Sequence, residues 1–248
     1  MFYCPHMELL NLQKYTPLEL FLFSFGCYLW VVVYAFYIRS IFKKKFIEAP
    51  IFAVCGNIGW EFVWSFLLCT DMGSLLQWCY RFWFLFDLVI FYGVLRYGWE
   101  QVRTEAFRKV LRPLLVAVAV FQGTGFYFMA ASGLDTPIGA NSAFLLNLIL
   151  SMLYVFVLFQ QRELGNLGRV SWLIAWLKMI GTGTNTIFVN IHAEYAHNYF
   201  LRFVSISIAV VDCIYIYLVW RLQRQARDAS SVPASTTSAV SSPSVNVA

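Results

Sequence analysis

AVCGNIGWEFVWSFLL, residues 53–68, is an almost wholly apolar stretch with one carboxylate, Glu61, in its middle. A run of this length predicts a membrane-spanning helix. On such a helix Asn57, Glu61 and Trp64 share one face, which therefore combines an amide, an acid and a large aromatic ring. An ionisable group near the bilayer centre costs at least ~2.5 kcal/mol, so we expect Glu61 to have a partner, a neutralising proton or a water-filled cavity. The alternative interpretation is a buried structural carboxyl that is hydrogen-bonded to a neighbouring helix.

The composition of the whole chain agrees with this stretch. Of the 248 residues, 60% are hydrophobic and 12% are charged, whereas soluble domains contain roughly a quarter charged residues. The mean hydropathy is +0.66. We therefore predict a polytopic membrane protein with a single domain. The six cysteines are scattered through apolar runs, as is typical of small buried hydrophobic residues, and Cys69 and Cys79 are candidates for a contact near one membrane face.

Seven apolar runs predict an all-α fold, a seven-transmembrane helix bundle. Each has ~20 residues, the length that crosses a ~30 Å hydrocarbon core. The runs lie near residues 18–38, 50–69, 75–95, 113–131, 138–159, 170–191 and 199–220. We predict one membrane domain over residues 1–227. Residues 228–248 are rich in Ser, Ala and Thr and are predicted to form a disordered cytosolic tail, because this composition cannot build a core.

The loops between the runs predict the orientation of the bundle. Fourteen of the 18 basic residues follow the first, third, fifth and seventh runs. The positive-inside rule then places the N-terminus outside or in a lumen and the C-terminus in the cytosol. This placement also accounts for the net charge of +5, so no nucleic-acid partner is predicted.

Ionisable side chains on four predicted helices lie at one depth, ~12–16 Å from the cytosolic ends of their runs. These residues are Glu61, Asp87, Lys178 and Asp212. Asn147 and Asn185 come slightly nearer the opposite face. The arrangement predicts a central polar cavity. The alternative is a polar lattice that only holds the helices together, with Lys178 and Asp87 as its ion pair.

Aromatic residues make up 19% of the chain, and several lie close to the acids in the sequence. They are Trp60, Trp64, Trp83, Phe84, Phe86 and Tyr215. Because aromatic faces attract cations, a cavity with one acid and aromatic walls could generate and shelter a carbocation. Ordinary packing is the alternative for any single ring.

Motifs for metal or nucleotide chemistry are absent from the sequence. It contains no DDxxD cluster, DxDD motif, P-loop, GxGxxG helix start, HExxH or CxxC. His192 and His197 flank Glu194, but their spacing matches no metal site. We therefore predict proton chemistry without a metal or cofactor.

Three segments, by their order and spacing, resemble the small integral-membrane terpene cyclases of fungal meroterpenoid and indole-diterpene pathways, the paxB-type family. The segments are GNIGWEF at 56–62, RFWFLFD at 81–87 and AVVDCIY at 209–215. With the chain's size and its seven runs, the resemblance covers about residues 10–225. In that family one acid in the second helix and one in the last helix are considered catalytic, and Glu61 and Asp212 match those positions.

The resemblance implies an enzyme that protonates an epoxide or alkene of a prenylated precursor and so drives a cationic cyclisation. Glu61 would be the general acid, and Asp212 would orient it, reprotonate it or balance the cationic charge. The implied partners are a lipophilic prenylated or epoxyprenyl substrate, membrane lipid, and a prenyltransferase and an epoxidase of the same pathway. For a fungal protein the implied compartment is the endoplasmic reticulum. Supporting polar or cavity residues are expected at Asn57, Trp60, Trp64, Arg81, Asp87, Asn147, Lys178, Asn185 and Tyr215.

Two other classes of function remain open from the sequence. A proton-coupled transporter would use Glu61, Asp87 and Asp212 as a relay, although no internal repeat is visible. A heptahelical receptor or retinal-type pigment would use Lys178 as a Schiff-base amine. Known retinal proteins have that lysine in the last helix, and residues 199–220 contain none.

Overall fold

A computed structural model describes residues 8–102 and 104–231, and within these residues the chain is all-helical. The helices are α1 (Pro17–Lys44), α2 (Ile51–Phe62), α3 (Ser74–Tyr97), α4 (Glu105–Ala131), α5 (Ala140–Glu163), α6 (Trp172–Ile191) and α7 (Tyr199–Ser231). A π-helical turn, Val63–Leu67, prolongs α2. The predicted helical class is confirmed. Helix α7 continues into the predicted tail, and the rest of that tail lies outside the described residues.

Five of the helices in the described part of the chain are long and apolar enough to cross a membrane, namely α1, α3, α4, α5 and α7. Helix α2 with its π-helical turn is an apolar segment of shorter length. Helix α6 has 20 residues and is interrupted by Lys178 and by several threonines and asparagines. Seven spans therefore stay a prediction, because two of the seven helices are marginal in length or polarity.

Local sequence signals determine where several helices begin and end. Thr16 forms a capping box with Glu19, and Pro17 occupies the first turn of α1, where its missing N–H costs nothing. The helix ends at Lys45, which adopts a left-handed conformation (φ 51°). Ser171 caps α6 by accepting a hydrogen bond from the backbone N–H of Ile174.

The bundle is assembled from closely packed helix pairs, of which α1 with α6, α2 with α4, and α5 with α7 make the most extensive contacts. Gly59 and Gly123 allow α2 and α4 to touch. A Cβ at Gly59 would lie 2.8 Å from the carbonyl oxygen of Ala119 and 2.9 Å from the backbone nitrogen of Gly123. Small residues permit such approaches between membrane helices. Helix α7 packs on α5 and α6 and lies away from α2.

An outer clamp, residues 8–15 with the loop 68–75, covers one end of α1 and α3. The backbone N–H of Asn11 donates to the carbonyl of Met72 (3.0 Å), and Lys14 Nζ lies 2.5 Å from Asp71. Cys69, in the same loop, is disulfide-bonded, whereas Cys79 is a free thiol. The predicted contact between Cys69 and Cys79 is therefore wrong. Cys79 lies in the second turn of α3, beyond this loop.

Candidate active site

A pocket of about 140 Å³ lies between α1, α2, α3, α5 and α6. Among the described residues that line it, Glu61 is the one carboxylate. The pocket walls combine aromatic rings with amides, and predicted site residues of α2, α5 and α6 meet there: Asn57, Trp60, Glu61, Asn147 and Asn185. Of the four ionisable groups predicted at one depth, Glu61 lines this pocket, whereas Asp87, Lys178 and Asp212 do not.

Glu61 is buried, with 5% of its surface exposed. Its Oε2 has no hydrogen-bond partner among the residues that the structure describes. Asp87 is its charged neighbour, and the Oδ2 of Asp87 also lacks a partner there. Two carboxyls buried side by side cannot both be ionised at low cost, so the pair holds at least one proton. Of the two acids, Glu61 is the one that lines the pocket.

Tyr34 and Asn57 connect the two acids to the pocket wall. The Asn57 side-chain amide donates to the Tyr34 hydroxyl over 3.4 Å, and that hydroxyl interacts with the Asp87 carboxyl. Tyr34 and Asn57 both line the pocket, whereas Asp87 lies behind them. Asp87 is thus connected to the pocket through Glu61 and Tyr34.

The aromatic wall is held in place by a loop that precedes α5. Trp60 donates its indole N–H to Ser142 Oγ over 2.7 Å, and Ser142 in turn donates to Asp135 in a short hydrogen bond. Burial raises the pKa of Asp135, although its hydrogen bonds from the Ser142 hydroxyl and from backbone N–H groups at the start of α5 oppose that rise. Gly139 has φ +72°, and a Cβ there would lie 2.4 Å from Trp64. The loop therefore fixes the orientation of both tryptophans.

Amide oxygens form the wall opposite Glu61. Asn147 donates to Thr182 Oγ1 over 3.1 Å, which leaves its own Oδ1 buried and without a partner among the described residues. The Oδ1 of Asn185 is in the same situation. Unpaired carbonyl oxygens carry partial negative charge, so this wall can stabilise positive charge or accept a hydrogen bond from a substrate hydroxyl.

Asp212 is not part of this pocket lining. Lys178 Nζ lies 2.6 and 2.7 Å from the two carboxylate oxygens of Asp212 and donates to Ser151 Oγ over 2.7 Å. The predicted ion pair of Lys178 with Asp87 is therefore wrong. The expectation that Glu61 and Asp212 line one cavity is not met either, because α7 lies behind α5 and α6.

The Lys178–Asp212 ion pair nevertheless lies next to the amide wall, the part of the pocket lined by Asn147 and Asn185. Ser151, which accepts from Lys178, donates to the backbone carbonyl of Asn147 over 2.9 Å. Lys178 also lies one turn before Thr182 on α6. The Lys178–Asp212 pair is thus connected to the pocket through the residues that hold Asn147.

Other predicted site residues lie outside the pocket lining. Trp64 packs against Trp60 with ring centroids 6.0 Å apart and ring planes tilted by 33°, outside the pocket lining. Arg81 donates to the Ser65 carbonyl over 3.3 Å and packs over an indole ring. Tyr215 packs against Tyr154 in the core. Sequence reasoning missed Tyr34 and Tyr80, since nothing in the pattern distinguishes these two rings from the many other aromatic residues.

No group of three or more His, Cys, Asp or Glu side chains that could hold a metal ion occurs in the described ranges. A family model described as "Pyr4-like transmembrane terpene cyclases" matches residues 10–225. No solved structure matches the chain.

Curated fungal relatives resemble the chain at modest identity. Terpene cyclase spyD of Aspergillus fumigatus is 28% identical over 44% of this chain and 46% of its own length. Terpene cyclase macJ of Penicillium terrestre is 29% identical over 62% of this chain and 59% of its own length. Terpene cyclase ascF of Acremonium egyptiacum is 24% identical over 84% of this chain and 83% of its own length. The matches therefore cover about half of the first two relatives and most of the third.

Proposed function

The chain belongs to the Pyr4-like transmembrane terpene cyclases, and on that premise we propose that it cyclises the prenyl chain of a lipophilic precursor by proton transfer from Glu61. The single observation that supports this assignment is the position of Glu61. It is a buried carboxyl with an unbonded oxygen, and it faces a pocket with aromatic and amide walls. Family membership does not favour the transporter or receptor alternatives.

The proposed reaction begins when the Glu61 carboxyl donates its proton to an epoxide oxygen or to a terminal alkene. For an epoxide, one C–O bond breaks as the oxygen becomes a hydroxyl. The nearest alkene supplies the electron pair for the first new C–C bond, and the following alkenes react in turn. The last cation loses a proton, which restores the proton of the Glu61–Asp87 pair, so the overall reaction is an isomerisation without a redox partner.

The pocket walls supply the remaining requirements. The faces of Trp60, Tyr80 and Trp83 stabilise positive charge as it moves along the chain. The buried Asp87 returns a proton to Glu61 between turnovers. We assign Asp212 a positioning role, because it acts on the pocket through Lys178, Ser151 and the amide wall.

We further propose seven spans with a lumenal N-terminus, in the endoplasmic reticulum. The disulfide at Cys69 supports this orientation, since disulfides persist in oxidising compartments and the loop 68–73 follows α2 on the predicted lumenal side. A reporter fused after residue 228 should be cytosolic, and a tag before residue 10 should be lumenal. The reverse pair of results contradicts the orientation.

The test of the function is reconstitution with enzymes of the two reaction classes that must precede it, a prenyltransferase and an epoxidase. Membranes that contain all three proteins should convert the linear epoxyprenyl precursor into an isomer of equal mass with fewer alkenes. Omission of this chain should leave the linear epoxide. Equal amounts of the cyclic isomer with and without the chain would contradict the assignment.

A further inference from the structure

A second cavity lies beside the pocket, between α1 and α3, and has a volume of about 260 Å³. We call it the α1–α3 groove. Phe23, Cys27 and Trp83 line both the groove and the Glu61 pocket. The two spaces therefore share one wall, which consists of these three side chains.

The groove opens sideways toward the lipid. Tyr28 and Phe82 on its two edges are 61% and 60% exposed. Toward the outer end it stops at Leu10 and Met72, where the outer clamp joins the two helices. The backbone N–H of Leu75 donates there to the carbonyl of Leu9 over 3.1 Å. The groove is thus accessible from the bilayer and covered on the side of the predicted lumen.

The pocket is too small to hold a whole prenyl chain, so the chain needs additional space beside it. Its volume of about 140 Å³ is similar to the roughly 150 Å³ of an engineered cavity that binds benzene. A prenyl chain of several isoprene units does not fit in that space alone. The groove is lined by mostly apolar side chains, with the hydroxyls of Ser24 and Tyr28 the exceptions among the described residues, so its chemistry matches a hydrocarbon chain.

We propose that the α1–α3 groove is the lateral entrance through which the prenyl chain passes from the bilayer to Glu61, with Phe23, Cys27 and Trp83 as its gate. This inference rests on the proposed function and adds the route and the order of entrance. The reactive end of the chain enters first, because the mostly apolar groove suits the hydrocarbon chain better than a polar head group.

The test measures entrance without turnover. The full-length protein is placed in phosphatidylcholine nanodiscs and mixed with a farnesyl phenyl ether that has a diazirine near the chain end. Flash photolysis at increasing times then gives the rate at which the peptide containing Glu61 is labelled. Ser24 lines the groove but not the pocket. Ser24→Phe should slow labelling at least tenfold. Ala117→Phe, a change at an exposed position on α4, should label at the wild-type rate.

Chemical modification of a cysteine after folding tests the groove without the effect that a substitution can have on the assembly of the protein. In a Cys27→Ser/Cys213→Ser background, N-phenylmaleimide on Cys79, which lines the groove but not the pocket, should slow labelling to a similar extent. The same treatment after Cys79→Ser should have no effect. Wild-type labelling rates in both Ser24→Phe and the Cys79-modified protein would overturn the entrance. Because labelling needs no turnover while cyclisation is read from the product, a failure of the cyclase assignment and a failure of the entrance are distinguishable.

Discussion

Lys178 Nζ lies 2.6 Å from Asp212 Oδ1, and both side chains are almost fully buried. This ion pair joins α6 to α7 and satisfies the charges of both helices. It leaves Glu61 and Asp87 as a separate pair of acids on α2 and α3. The bundle therefore contains two separate groups of ionisable side chains: the acids on α2 and α3, of which Glu61 lines the pocket, and the Lys178–Asp212 pair, whose charges neutralise each other.

Replacement of Glu61 by Gln retains shape and hydrogen bonding but removes the transferable proton. Because general acid catalysis contributes ~10²–10⁴ in rate, cyclisation by Glu61→Gln should fall by that factor while the amount of folded protein is unchanged. The measurement is the ratio of cyclic product to accumulated linear epoxide. Glu48→Gln, a change at a buried glutamate far from the pocket lining, is the matched control and should cyclise normally. Normal product from Glu61→Gln would refute the mechanism.

Removal of Asp212 alone should lower the amount of folded protein. Asp212→Asn leaves the buried Lys178 without its counter-charge, a loss that typically costs about 3–5 kcal/mol. Replacement of both partners, Lys178→Met with Asp212→Leu, should restore folding, because apolar pairs often substitute for buried ion pairs. Size-exclusion profiles in detergent report the folded amount. We expect the folded double variant to cyclise at a reduced rate, because Ser151 loses its donor Lys178, and a well-folded double variant without any cyclic product would instead assign Asp212 a direct catalytic role.

Trp60 tests the role of the aromatic wall. Trp60→Phe retains a ring face and should retain most activity, although it leaves Ser142 without the indole donor. Trp60→Leu removes the ring and should reduce the rate by about 3- to 30-fold, since cation–π contacts contribute about 0.5–2 kcal/mol. Product analysis should also show more early-quenched, partly cyclised material. Equal rates for the Phe and Leu variants would show that Trp60 acts only by filling space.

The buried carboxyl of Glu48 should make the free energy of unfolding depend on pH. It lies between α1 and α2, accepts a hydrogen bond from the backbone N–H of Ser171 (2.6 Å), and burial raises its pKa to about 8. The folded state therefore binds the proton more tightly than the unfolded state does. As pH rises from about 4.5 toward about 8, the free energy of unfolding should fall by at most ~1.4 kcal/mol per unit and then level off.

Thermal unfolding in detergent between pH 5 and pH 9 measures this dependence. Glu48→Gln is neutral at every pH and retains an acceptor for the Ser171 N–H, so its unfolding temperature should lose this part of the slope. An unchanged slope in Glu48→Gln would show that another group is responsible.

Several features of the protein follow from the sequence alone. The apolar runs predict the number and order of the helices, because side-chain transfer into lipid and backbone hydrogen bonding act locally along the chain. They miss the polar extensions of α1, α4 and α7, which continue beyond the apolar runs. Pro17 and Thr16 mark the start of α1 in the same local way. The place of Glu61 beside Asn57 also follows, since residues four apart on one helix share a face. Trp64, which the sequence predicts on the same face, lies outside the pocket lining, and Trp60 lines the pocket instead.

Only the tertiary structure decides which helices are neighbours. The rise per residue gives the depth of Asp87, Lys178 and Asp212 but not their positions around the bundle. At equal depth, Lys178 could meet either aspartate, and the packing of α7 on α5 and α6 selects Asp212. Such neighbour relations rest on contacts between residues far apart in the chain, as Gly59 on α2 with Gly123 on α4 also illustrates. The fold, rather than the sequence pattern, therefore separates the acid that faces the pocket from the acid that is neutralised by a lysine.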